Sequence, residues 1–111
     1  MPMTNVLHSR TSGGAGAAAV ALTPLGEIEI LSVRYHADGA SAAEDLTVEI
    51  DSAVATAYDV VLVTKAMNGL TDYVWYPTHP VQIYKGEVVD VNYGNTNNDN
   101  WGIEIAYRML Y

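Results

Sequence analysis

Hydrophobic and polar residues alternate with period two along most of this chain, most regularly at its end. From Trp101 onward, Trp101, Ile103, Ile105, Tyr107 and Met109 occupy every second position, with Gly102, Glu104, Ala106 and Arg108 between them. In a strand, successive side chains point to opposite faces, so this pattern predicts one apolar face turned to a core and one small or charged face turned outward. Glu104 and Arg108 lie four apart on that outer face, too far along a strand to be direct neighbours.

Earlier segments repeat the signal in shorter pieces. Ile28 and Ile30 alternate with Glu27 and Glu29; Leu31, Val33 and Tyr35 then continue in the opposite register, a slip that reads as a β-bulge near Ile30–Leu31. Leu46, Val48 and Ile50 alternate with Thr47 and Glu49. The run Val60-Val-Leu-Val63 within Tyr58–Lys65 predicts burial on both faces, hence a central strand. Asn68-Gly69 signals a tight turn. A strand is predicted from Leu70 to Tyr76, Pro77 and Pro80 bracket a stiff connector, and short strands follow at Val81–Tyr84 and Val89–Tyr93. Six or seven short strands without a helix predict an all-β fold, a single antiparallel β-sandwich or jelly-roll-like domain over residues 26–111.

Residues 1–25 have a different texture. Asn5-Val-Leu-His8 suits a short strand, Thr11-Ser-Gly-Gly-Ala-Gly16 is loop material, and Ala17–Thr23 suits a helical turn or an edge strand that Pro24 ends. The segment reads as an extended N-terminal arm laid across a neighbouring subunit.

Composition sharpens this picture. The 111 residues suffice for one domain. Without cysteine there is no disulfide framework, thiolate metal site or thiol nucleophile. Lys and Arg number 5 against 13 Asp and Glu, a formal charge of −8 that phosphate backbones would repel. Eight Tyr and no Phe suit half-buried positions at rims and interfaces. The first ten residues, which include Asn5, His8 and Arg10, do not read as a secretory signal, and no run approaches the roughly 20 apolar residues of a membrane span.

Candidate chemistry is sparse. Asn95, Asn97 and Asp99 alternate like calcium ligands, but Asn100 stands where such a loop needs Gly and Ala106 where it needs Glu. His8, His36 and His79 fall on separate segments, which gives no metal or cofactor site. Ser9, Ser12, Ser32, Ser41 and Ser52 lack an elbow context, so no catalytic residue is assigned and the chain reads as a non-enzyme. Trp75 and Tyr76 point to opposite faces, so only one can serve an outward aromatic platform for a sugar. Trp101 belongs to the core face. Partner contacts are expected from Asn5, Val6, Leu7, Val20 and Leu22 of the arm, from Trp75 and Tyr76, and from Tyr111.

From residue 27 to about 110 the sequence resembles small structural proteins of tailed bacteriophages. The pattern runs through Leu46-Thr47-Val48, Ala57-Tyr58-Asp59-Val60-Val61-Leu62, Asp72 and Trp75-Tyr76-Pro77. It continues through Gly86-Glu87, Val89-Asp90-Val91, Tyr93, Asn95 and Trp101-Gly102-Ile103-Glu104. The resemblance implies a virion component assembled in the host cytoplasm, and foremost a capsid decoration (cement) protein. Its partners would be the major capsid protein or copies of itself, with neither nucleic acid nor membrane. A tail or head-fibre subunit is the near alternative, and a carbohydrate-binding module the alternative from another class.

Overall fold

A computed structural model describes residues 5–110. Within these residues nine strands are divided between two antiparallel sheets: β1 (Val6–Gly13), β2 (Ala18–Leu22), β3 (Ile28–Ala37), β4 (Asp45–Asp51), β5 (Val60–Ala66), β6 (Asp72–Trp75), β7 (Val81–Ile83), β8 (Val88–Tyr93) and β9 (Trp101–Met109). The first sheet runs β1-β9-β3-β6, with β7 also on β3, and the second runs β2-β8-β4-β5. The two pack face to face as the β-sandwich that the alternation predicts.

The alternation of β9 places it. Trp101, Ile103 and Ile105 are buried between the sheets, while Tyr107 and Met109 pack against the same core from its margin. Their partners are Ile28, Ile30, Val33 and Tyr35 on β3, with Leu46, Val48, Val89, Val91 and Tyr93 facing them from the second sheet. Truncating a fully enclosed residue such as Ile105 to Ala costs roughly 2–5 kcal/mol. The expected bulge is present: the β3–β9 register shifts between Ile30 and Ser32, and Leu31 is the extra residue. Tyr35 and Tyr93 join the sheets through tilted rings with centroids 5.4 Å apart. Burial, the foremost cause, pushes the Tyr35 hydroxyl up to about 12.

Three sequence expectations change. Residues 6–13 and 18–22 are edge strands, β1 on β9 and β2 on β8, rather than an extended arm. Ala18 and Val20 are buried in the chain's own core. The pairing of β1 with β9 carries the strand through Thr11, Ser12 and Gly13, where local composition alone reads as loop. The strand β5 lies at the edge of the second sheet rather than its centre, leaving Val60 and Val61 about half exposed. The strand expected over residues 70–76 is confined to Asp72–Trp75. Asn68-Gly69 does form a tight turn, with Gly69 at φ +78° and Leu70 N–H donating to Met67 C=O, but it carries the chain from one sheet to the other.

Candidate functional site

Strand register assembles side chains on the outer face of the first sheet that lie far apart in sequence. Arg10 on β1, Glu104 on β9, Arg34 on β3 and Val74 on β6 form one row; Ser12, Gly102, His36 and Asp72 form the next. Gly102 has no side chain, and nothing lies within 4 Å of where a Cβ would stand. The gap opens a groove of about 410 Å³ flanked by Arg10, Ser12, Arg34, His36, Asp72 and Glu104.

Charge within the groove is unevenly shared. Glu104 accepts from Arg10 Nε at 2.6 Å, lies 3.3 Å from His8 Nδ1, and is met by Arg34 only at 3.8 Å. One carboxylate therefore serves two guanidinium groups and an imidazole. The Arg10 hydrogen bond, before the other contacts, holds the Glu104 carboxyl below its usual range. His36 Nδ1 lies 2.6 Å from Asp72, and its Nε2 lies 3.6 Å from Asp38. The bond to Asp72 raises the His36 pKa; Asp72 is lowered, first by the Thr71 hydroxyl and then by His36. Arg108, further along β9, is held by Glu29 rather than by Glu104.

The row Ser12–Gly102–His36–Asp72 has the residue types of a hydrolytic triad without its geometry. Ser12 and His36 stand two strands apart, roughly 10 Å between Cα atoms at normal strand spacing. The far nitrogen of His36 faces Asp38 instead of a hydroxyl. The nucleophile–base hydrogen bond that defines such a site is missing. Among the described residues, no three His, Cys, Asp or Glu side chains converge as metal ligands.

The outer face of the second sheet has a different character. Its outward positions on β4 and β8 carry Asp45, Glu49, Asp51 and Asp90, and those of β2 and β5 add no Lys or Arg. Glu49 and Asp90 are direct cross-strand partners, a like-charge placement that destabilises a sheet. Partial burial, then Asp51 and Asp59, push the Asp90 carboxyl up.

The Asn-rich loop closes one end of the sandwich. Asn95 and Asn98 adopt left-handed φ of 54° and 55°, which Asn tolerates better than most residues. The Asn95 side chain turns inward, 1% exposed. Its Nδ2 donates to the carbonyls of Gly16, Asp99 and Gly14, and its Oδ1 accepts from Asp99 N–H. Asn97 Nδ2 donates to Ala40 C=O. Two of the three alternating residues thus hold the loop to its neighbours.

Of the residues expected at partner contacts, Asn5, Val6, Leu7 and Tyr76 are exposed. Val20 is buried and Leu22 packs on the core, so both serve the chain's own fold. Trp75 lies opposite Val33 on the inward face and packs on the core, so it forms no outward platform. Trp101 is core, as its alternation predicts, and Tyr111 lies outside the described residues. Sequence reasoning missed the Arg10–Glu104–Arg34 row, whose members meet only through the register of three strands. Comparison of the chain with protein-family models and with curated proteins returns no match. No helix among the described residues is long and apolar enough to cross a membrane.

Proposed function

We propose that this protein is a non-enzymatic structural subunit of a bacteriophage particle, acting as a capsid decoration protein on the outer surface of the head. The observation that carries the reading is the apolar surface at the free edges of both sheets. Val6 and Leu7 on β1 are 48% and 39% exposed, and Tyr58, Val60 and Val61 at β5 are 64%, 49% and 56% exposed. Free strand edges bearing apolar side chains are surfaces for pairing and packing with other chains. An acidic subunit also suits the outside of a DNA-filled shell better than its inside. The resemblance of residues 27–110 to phage structural proteins points the same way. Partners are the major capsid protein and further copies of the chain, and the site of action is the virion.

Capsid binding tests the proposal. Purified protein added to shells that lack it should saturate them at a copy number near that of the capsid protein. Val6→Glu with Leu7→Glu, or Val61→Lys, should weaken binding while the circular dichroism spectrum stays unchanged. Deleting residues 1–22 is an unsuitable variant, because it removes two strands. Shells left bare at saturating protein would overturn decoration, and binding to tail fractions would move the subunit to the tail.

A further inference from the structure

The two outer faces of the sandwich differ in charge: the first balances Arg10, Arg34 and Arg108 against Glu29, Asp72 and Glu104, whereas the second carries carboxylates without a cation. On the first sheet, Arg10 and Arg34 share the single carboxylate of Glu104, with Arg34 no closer than 3.8 Å, beside the open groove over Gly102. On the second, Glu49 faces Asp90 directly, Asp45 and Asp51 flank them on β4, and no outward position of that sheet supplies a cation. Lys65, the only Lys or Arg on these four strands, lies on the Leu46 side of β5, its ammonium 5.5 Å from the Tyr73 ring centroid.

We infer that the groove face of one copy receives the acidic face of a second, so that copies associate through unlike sheet faces. A carboxylate of Glu49 or Asp90 entering above Gly102 would give Arg10 and Arg34 the second acceptor they lack. In return the guanidinium groups relieve the repulsion between Glu49 and Asp90. Charge-assisted bonds from Arg forks to carboxylates are among the stronger polar contacts. The body measures 44 × 35 × 24 Å, so its broad faces have room for the roughly 800 Å² per partner of a standard interface. Because the faces differ, the contact is heterologous: each added copy exposes a fresh groove and a fresh acidic face, and growth continues unless a ring closes.

The contact is a property of the chain alone, so its test on purified protein is independent of the capsid experiment. Sedimentation equilibrium of the full chain at low salt should give an average mass that rises with concentration above 12.0 kDa. Near 1 M salt, where the screening length falls to about 3 Å, the mass should return to the monomer. Arg10→Glu/Arg34→Glu, and the milder Arg10→Gln/Arg34→Gln, should be monomeric with unchanged circular dichroism. The variant Glu49→Gln/Asp90→Asn should also be monomeric. Mixed with Arg10→Gln/Arg34→Gln it should form a one-to-one dimer and stop, since each partner brings one intact face. A wild-type chain monomeric at every concentration, association that survives the Arg substitutions, or mixed variants that fail to pair would each overturn the inference.

Discussion

The indole of Trp101 lies across Gly13, its partner on the neighbouring strand. A Cβ at Gly13 would stand 2.7 Å from ring atom Cζ2. An aromatic ring covering a strand glycine restores packing that the glycine itself cannot provide. Gly13→Ala should therefore cost about 1–3 kcal/mol, the usual range for overpacking. Gly102→Ala, one position from Trp101 but open to the groove, should change stability by less than about 0.5 kcal/mol, as surface substitutions do. Urea denaturation midpoints of the two variants check the contrast.

Asn95 anchors the loop between β8 and β9 from inside. Replacing it with Ala leaves the carbonyls of Gly16 and Asp99 and the N–H of Asp99 without their partner. Each of these part-buried hydrogen bonds contributes about 0.5–1.5 kcal/mol net, so a loss of about 1–3 kcal/mol is expected. Asn95→Asp should be no better, since a carboxylate cannot donate to those carbonyls. Hydrogen exchange at the Asp99 amide should quicken in Asn95→Ala, whose side chain no longer accepts from that N–H.

Asp90 is held in a place that opposes its charge. Its folded pKa is raised by partial burial and by Asp51 and Asp59, so the ionised form weakens the fold. The penalty is fully present above the raised folded value and disappears as pH falls through it to the unfolded one. Asp90→Asn should therefore stabilise the protein at pH 7, by less than about 1 kcal/mol because solvent screens the site. The gain should vanish in acid. Thermal unfolding of both proteins from neutral pH down to pH 3 follows the convergence.

Local signals in the sequence were strongest where burial is one-sided. The period-two face of β9, the slip at Leu31 and the Asn68-Gly69 turn are all legible from neighbouring residues, because pleat and turn geometry act within a few positions. The four aliphatics of β5 read as a central strand, yet the strand sits at an edge. Run composition reports apolarity, not the number of neighbouring strands.

Residues 6–22 are less legible for a related reason. Gly- and Ala-rich sequence has weak local preference, and its conformation was decided by pairing with β8 and β9, roughly 70 to 100 positions away in the chain.

By itself, the sequence determined the all-β character, the inward face of the last strand, the acidic balance and the want of a thiol. Those properties follow from composition and short-range periodicity. Only the tertiary structure decided which charges meet. Arg10, Arg34 and Glu104 become one group, and Glu49 and Asp90 become opposed, through strand registers. Registers are set by whole-face burial, and a slip of one residue would send every one of these side chains to the other side.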